Sequence, residues 1–389
     1  MGNWSEITIE NGRLRVTGNG RTADLQADSL RDLELDTTRE FLTRYGPYGA
    51  DVDGGVDPKF WSNATMSPDM PSVGIAMSQM YEDATGRTVD GVLVIDPAGI
   101  AGLLDITGPV QLDDIDQRID SGNAVEFLTL GQYEFAENER EDLLTEVTDR
   151  TVENVLSTTL PPPQQMAPAL APAVLNGHIS AWVADPDGQE LLELVGMDGA
   201  LPFPAASGSD AIAVVSHNAS GNKIESFLER TIDYRPVIDQ TTGVATATMT
   251  VELTNSAPTT GYPDSVIGNI VDAPTGTNRM TLEIFTRIAA TEIRVDGEVV
   301  PLFLQTELGY FVVNRQLDVP AGETVLVDID LAGQLSPGPY QLVYRPQPLP
   351  TPDTLVVEST TPGGSEILSF DGVLERRSVI TPSGVSAWR

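Results

Sequence analysis

The spacing of apolar residues changes once along this chain, and that change constrains the fold most. Before residue 230, apolar residues recur at helical spacing, as from Val73 to Ala84, between short apolar runs such as Gly91 to Ile95. Beyond residue 230 the spacing becomes two, and Thr246 to Leu253 alternates strictly. The sequence therefore predicts an α/β domain of layered α-β-α type over 1–230, followed by an all-β, immunoglobulin-like sandwich with extra C-terminal strands over 231–389.

Charge and composition exclude several kinds of site. The 389 residues include 57 acidic and 22 basic side chains, a net charge of −35, and no cysteine. Without cysteine the chain has no disulfide, thiol nucleophile or cysteine zinc site, and its two histidines are too few for a multi-histidine metal centre. A field this negative opposes binding to nucleic acid, so no nucleic-acid partner is expected and bound ions should be cations.

An acidic segment near residue 50 resembles part of a calcium-binding loop. Asp51, Asp53 and Asp57 supply carboxylates at usable spacings. A complete EF-hand loop would carry an acid or Asn where Gly55 stands and a Glu where Ser62 stands. Two interpretations remain open: a site for a divalent cation, Mg²⁺ or Ca²⁺, and an acidic loop that is simply solvated.

A polar turn near residue 220 offers groups that suit an anion. Lys223 is one of two lysines and precedes a predicted helix, where backbone N–H groups also attract negative charge. Asn218 and Asn222 flank it with amide donors. The alternative is that Lys223 only tethers the loop. His217 lies beside this turn and could act as a base, but no nucleophile partner is recognisable.

Five short blocks, spread over nearly the whole chain, carry a family resemblance. They read SPDMP at 67–71, GRTVDGVLVIDP from 86 continuing to 110, NASGNKI at 218–224, PTGTNR at 274–279, and GPY to RPQP at 338–348. Together they resemble the bacterial domain-of-unknown-function family 4012. Members begin with a membrane helix and a Gly-Gly-Phe-x-Gly block where Met1-Gly2 stands here. The resemblance implies an N-terminally truncated, extracytoplasmic chain, with a membrane anchor expected only in the full-length protein.

That family is distantly similar to the LytR–CpsA–Psr phosphotransferases, which attach anionic glycopolymers to the bacterial cell wall from polyprenyl-pyrophosphate carriers. The similarity implies that Arg21 and Asp24 lie in a phosphate-binding turn and that Arg140 lies on a helix carrying a pyrophosphate arginine. These three are the candidate catalytic residues. The relatives carry an arginine pair before that helix, where this chain has Leu130-Gly131-Gln132. Their first arginine would lie upstream of Met1.

Two functions follow from these expectations. The favoured one is a non-catalytic binding or scaffold module for wall or surface glycopolymer, because the arginine pair is missing. The alternative is a glycopolymer phosphotransferase that acts on a polyprenyl-pyrophosphate-linked substrate. The alternative predicts that Arg21, Asp24 and Arg140 converge in one concave pocket.

Overall fold

The computed structural model describes residues 2–10, 13–26, 30, 32–45, 61–112, 115–135, 137–157, 163–270 and 272–388. The chain divides into two compact units, Met1–Ala200 and Leu201–Arg389. The first combines helices with short strands, and the second is built on two seven-stranded β-sheets. The secondary-structure content thus follows the predicted order, a mixed α/β part followed by a β-rich part.

Unit 1, Met1–Ala200, contains helices and paired strands in alternation. Its helices are α1 (Arg39–Tyr45), α2 (Met70–Thr85), α3 (Pro97–Thr107), α4 (Ala124–Thr129), α5 (Glu137–Ser157), α6 (Pro163–Leu175) and α7 (Pro186–Val195). Its strands are β1 (Asn3–Glu10), β2 (Arg13–Arg21), β3 (Gly91–Ile95), β4 (Val110–Leu112), β5 (Gln117–Ile119) and β6 (Ile179–Val183). The strands pair antiparallel as β1–β2, β3–β6 and β4–β5, so the described residues form two-stranded sheets rather than one central layer.

Three helices of unit 1, α2, α3 and α7, begin at an aspartate cap with a proline in the first turn. Asp69 accepts the Ser72 N–H at 3.0 Å at the start of α2, and Asp96 accepts the N–H groups of Ala98 and Gly99 at the start of α3. The carboxylate satisfies N–H groups that have no partner within the helix, and the following proline lacks the N–H that would also be unpaired. Gly86 ends α2 with φ of 71°, a conformation that favours glycine.

Two small cores hold unit 1 together. One joins α3, α4 and α5 to the β4–β5 pair and includes Leu104, Phe127 and Val147. The other joins α1 and α2 around Phe41 and Met80. Because each core is small, unit 1 depends on several local contacts rather than on one large apolar interior.

Unit 2, Leu201–Arg389, is formed by two sheets that share one apolar core. Its strands are β7 (Ser209–Asn218), β8 (Leu228–Ile238), β9 (Val244–Asn255), β10 (Asn278–Thr286), β11 (Ala289–Val295), β12 (Glu298–Val299), β13 (Leu304–Glu307), β14 (Tyr310–Val319), β15 (Thr324–Gln334), β16 (Gln341–Arg345), β17 (Thr354–Thr360), β18 (Glu366–Val373), β19 (Ser378–Thr381) and β20 (Gly384–Ala387), with a short helix α8 (Asp264–Ile267). One sheet has the order β13-β14-β10-β7-β16-β19-β20, and the other β12-β11-β15-β9-β8-β17-β18. Alternating side chains of both sheets, such as Leu282 and Met249, meet in the core between them.

The boundary between the units lies at Ala200 and Leu201 rather than near residue 230, because β7 belongs to unit 2. β7 pairs antiparallel with β10 and parallel with β16. Its residues from Ser209 to Ser216 are all buried, so its apolar side chains occupy both faces of the sheet. A strand buried on both faces has no alternation. Its sequence therefore resembles the apolar strands of unit 1, and only pairing shows the sheet it joins.

Two buried aspartates make the core of unit 2 partly polar. Arg230 binds both carboxylate oxygens of Asp353, at 2.7 and 2.8 Å, and both side chains are fully buried. Asp210 is also fully buried, but it accepts hydrogen bonds from the hydroxyls of Tyr234 and Tyr340 at 2.6 and 3.1 Å. Burial raises the pKa of Asp210, since the hydroxyls offset only part of the lost hydration.

Candidate functional site

A small pocket in unit 1 brings two of the three predicted catalytic residues together. Its volume is about 50 Å³, and it is lined by Gly2, Asn3, Arg21, Gln132, Tyr133, Arg140 and Leu144. Arg21 comes from the end of β2, and Arg140 from the first turns of α5. Residues 119 positions apart in the sequence thus share one concave surface.

The β1–β2 hairpin places the first half of the pocket. Asn3 and Arg21 are opposite each other in its register, so both lie at the same end of the hairpin. The Asn3 amide donates to the hydroxyls of Thr145 and Thr148 on α5, at 3.4 Å each. These bonds hold the hairpin end against the helix that carries Arg140.

A second set of contacts fixes the other face of the hairpin to α2. Glu6 accepts a hydrogen bond from the Tyr81 hydroxyl and pairs with Arg87 at 2.7 Å. The bond from Tyr81, then one from Thr17, lowers the pKa of Glu6. Trp4 packs edge-on against Tyr81, with ring centroids 5.7 Å apart. The hairpin is thus tied to both α2 and α5, which limits movement of the pocket.

Arg21 and Asp24 form a local unit at the rim. The Arg21 backbone N–H donates to the Asp24 carboxylate at 3.1 Å, which caps the short 3₁₀ helix Thr22–Leu25. Their side chains also approach to 3.8 Å, with 41% and 55% of each exposed. Asp24 therefore contacts Arg21 but does not itself line the pocket. An ion pair this exposed contributes at most about 1 kcal/mol.

Arg140 is positioned by an aromatic ring. Its guanidinium carbon lies 4.6 Å from the centre of the Tyr133 ring, a cation–π contact that orients the planar fork. Tyr133 and Gln132 belong to the 3₁₀ helix Gly131–Glu134. Gln132 is 3% exposed and donates its amide to the Leu128 carbonyl. Gln132 belongs to the segment Leu130-Gly131-Gln132, where the resemblance to the phosphotransferases predicts an arginine pair, and it lines the pocket.

Sequence reasoning missed Asn3 and Tyr133 as parts of this pocket. The predicted turn at Asn11-Gly12 gave only a partial signal for Asn3, because by itself it would place Asn3 opposite Gly20. A register shift between Glu6 and Ile7 brings Asn3 opposite Arg21. Tyr133 gave no signal, because its contact with Arg140 depends on the angle between two helices. The lining side chains offer two guanidiniums, two amides and a phenol, and no carboxylate. This set suits an oxyanion such as phosphate.

The predicted anion-binding residues at 218–223 lie together in unit 2. The Asn218 side chain accepts from the Ser220 and Gly221 N–H groups, and it donates to Asn222 and to Glu225. Burial raises the pKa of Glu225. The Asn218 amide is thus engaged within the turn beside a buried carboxylate, whereas the Asn222 amide donates to the Gly268 carbonyl. Lys223 directly precedes the 3₁₀ helix Ile224–Phe227. The geometry accounts for the turn without a ligand.

The predicted metal ligands Asp51, Asp53 and Asp57 lie outside the described residues, and the cation site there stays a prediction. Within the described ranges, no three His, Asp or Glu side chains are grouped so as to hold a metal ion. The two histidines each face a carboxylate: His178 lies 2.7 Å from Asp96, and His217 lies 3.2 Å from Glu283.

The length and polarity of the described helices bear on whether they could cross a membrane. None of these helices combines the length and the apolar character that crossing a bilayer requires.

Solved structures of other proteins give only distant likenesses. A putative nutrient binding protein from Legionella pneumophila is 9% identical, with a TM-score of 0.25 over 38% of this chain and 54% of that one. An M1 zinc metallopeptidase from Deinococcus radiodurans is 12% identical, with a TM-score of 0.24 over 43% of this chain and 42% of that one. Yeast LTA4 hydrolase is 9% identical, with a TM-score of 0.22 over 39% of this chain and 28% of that one. The chain thus spans about half or less of each, and TM-scores of this size support no conclusion about fold or function.

No curated protein matches this chain. A family model does match it over residues 1–133, a segment that includes Asn3, Arg21, Gln132 and Tyr133 of the pocket. The family resemblance is therefore supported over this segment, which matches the model of the family described as protein of unknown function, DUF4012.

Proposed function

We propose that this protein is an extracytoplasmic component of the bacterial cell envelope that binds a wall or surface glycopolymer without transforming it. Unit 1 would hold a phosphate group of the polymer in the pocket between Arg21 and Arg140. Unit 1 would then be a LytR–CpsA–Psr-like α/β domain and unit 2 an immunoglobulin-like spacer.

The observation that carries this proposal is the shared pocket of Arg21 and Arg140. In a chain with a net charge of −35, a single exposed arginine would attract an anion only weakly. Two guanidiniums at one concavity double the local positive charge and supply several N–H donors in fixed planes. The stacking of Arg140 on Tyr133 orients one of these planes before an anion arrives.

The chemistry of the pocket favours binding over catalysis. Among the described residues that line it, none is a carboxylate or a histidine that could serve as general base. Its volume of about 50 Å³ is far below the ~300–1,000 Å³ of pockets that enclose drug-sized ligands. A small oxyanion group fits such a space, whereas the sugar units of a polymer would have to lie outside it.

The alternative function is a glycopolymer phosphotransferase. The same convergence of Arg21 and Arg140 favours it, because stabilisation of charge by positioned arginines is the main requirement of phosphoryl transfer. Asp24, 3.8 Å from Arg21, is the nearest candidate base, and Mg²⁺ would be the natural cofactor. The buried Gln132 in place of an arginine weighs against this alternative.

Titration with inorganic pyrophosphate, followed by calorimetry, tests the binding function. We expect the double variant Arg21→Ala/Arg140→Ala to bind at least about tenfold more weakly than the wild type, since hydrogen bonds to charged groups contribute about 1.5–3 kcal/mol each. Arg118→Ala is the matched control, because Arg118 is 63% exposed and lies outside the pocket. Equal affinities for all three proteins would overturn the proposal.

A second assay separates binding from transfer. The protein is incubated with a polyprenyl-pyrophosphate-linked glycan and a cell-wall glycan acceptor, with and without Mg²⁺, and release of the polyprenyl phosphate is measured. The binding function predicts no release above background. Release that disappears in Arg140→Ala but persists in Arg118→Ala would establish the alternative.

A further inference from the structure

Helix α7 presents its apolar stripe to solvent. Leu191, Leu194 and Val195 are 59%, 82% and 49% exposed, and none of the ten residues of the helix is buried. Their spacing of three and four residues places them on one face. Single exposed apolar residues are common, but three on one face of a helix form a continuous surface.

The helix is held rigidly in spite of its exposure. Asp185 caps its start by accepting the Gly188 N–H at 2.8 Å, and Pro186 occupies the first turn. Gly196, with φ of 76°, ends it and returns its N–H to the last turn. The inner face approaches β6, where the Gln189 side chain accepts the Val183 N–H at 3.1 Å. The orientation of the stripe is therefore fixed by the fold.

Acidic side chains border the stripe. Asp187, Leu191 and Leu194 follow one another at four and three residues, so they lie in one row along the helix. Glu190 and Glu193 are exposed beside that row, and the helix contains no lysine or arginine. An anionic membrane or a second copy of the same acidic surface would be repelled.

We propose that this stripe, Leu191, Leu194 and Val195, is a docking surface for a protein partner that presents an apolar helix or groove bordered by lysine or arginine. Apolar contact would supply the affinity, and the acidic border of α7 would select a basic partner and orient it. The docking surface is separate from the arginine pocket, and neither depends on the other.

A dye at a single engineered cysteine reads the surface directly, because the chain has no cysteine of its own. Leu194→Cys carries an environment-sensitive fluorophore, and the probe is a synthetic amphipathic peptide of leucine and lysine. We expect the dye to report water in the free protein and an apolar environment with the peptide. Ile270→Cys is the matched control, since Ile270 is 81% exposed. A peptide with glutamate in place of lysine, and a scrambled leucine–lysine peptide, should leave the emission unchanged.

Calorimetry on unlabelled variants measures the apolar and the electrostatic contributions to peptide binding separately. We expect Leu191→Ala and Leu194→Ala each to lower the affinity for the leucine–lysine peptide by about tenfold. Thermal stability should be unchanged, because both side chains are exposed. Glu190→Gln/Glu193→Gln should weaken binding less and reduce its salt dependence.

Four results would overturn the proposal. Equal dye responses at positions 194 and 270, or unchanged affinity in the alanine variants, would show that the cationic peptide is attracted only by the net negative charge of the protein. An apolar signal in the free, dilute protein would show that the chain itself covers the stripe. A signal that grows with protein concentration alone would identify a second copy as the occupant.

Discussion

Two arginines, one from each unit, occupy opposite environments. In unit 2, each of the five N–H donors of Arg230 has an acceptor: Asp353 takes two, and Ser216, Gln347 and the Val214 carbonyl take the others. In unit 1, Arg21 is 41% exposed and meets its carboxylate partner at 3.8 Å. The difference teaches that a fully buried guanidinium is held by the fold, whereas Arg21, which is 41% exposed, stays in partial contact with solvent at the pocket rim.

The largest expected effect is the loss of the buried partner. We expect Arg230→Met to lower the free energy of unfolding by about 3–5 kcal/mol, because the Asp353 carboxylate would stay buried without its counter-ion. Urea denaturation measures the change. Arg235→Met is the control, since Arg235 also pairs with carboxylates but is 48% exposed, and it should cost less than about 1 kcal/mol. Similar losses for both would remove the distinction between buried and exposed arginines.

The stability of the fold should depend on pH through Asp210, the buried aspartate that is hydrogen-bonded by tyrosines. Because burial raises the pKa of Asp210, the folded protein holds that proton more tightly than the unfolded chain does. The stabilisation present below the ordinary aspartate pKa is lost as pH rises through the raised pKa. We expect Asp210→Asn to lose less stability than the wild type over that rise, as measured by urea denaturation at stepped pH. Parallel curves would contradict this expectation.

Geometry rather than charge should matter at the pocket. We expect Arg140→Lys to bind pyrophosphate more weakly by about 1 kcal/mol, about fivefold, because lysine keeps the charge but lacks the planar fork that stacks on Tyr133. Arg118→Lys, on an exposed strand, provides the matched control. Full affinity in Arg140→Lys would show that the pocket recognises charge alone.

The smallest effect concerns the carboxylate at the rim. Asp24→Asn removes a negative charge beside Arg21, so we expect pyrophosphate affinity to rise about twofold to fivefold, with thermal stability almost unchanged. A catalytic base at this position would instead make the variant inactive in the transfer assay. The two functions thus predict different consequences of one substitution.

Local patterns predicted most elements of this chain. The caps at Asp69 and Asp96, each followed by proline, mark the starts of α2 and α3, and strict alternation marks β9. These features act within a few residues, so the sequence displays them directly. Helix α1 shows the limit: the sequence predicts a helix over about 28–45, whereas α1 spans Arg39–Tyr45 and the described residues 32–38 are not helical.

Assignments that depend on distant contacts were less accessible. The apolar run in β7 gives no alternation because both of its faces are buried, and the predicted boundary near residue 230 therefore placed β7 in the first domain. The outward stripe of α7 was equally hidden, since a helical repeat of apolar residues normally marks the buried face.

The sequence by itself determined the excess of acidic residues, the absence of thiol chemistry, the change from mixed to β structure and the family of the first 133 residues. Tertiary structure alone decided that Arg21 and Arg140 share a pocket, that Arg230 forms a buried ion pair with Asp353 and that Leu191 and Leu194 of α7 face solvent. The physical reason is that composition and periodicity are properties of neighbouring residues. Burial and charge pairing depend instead on which distant segments pack together.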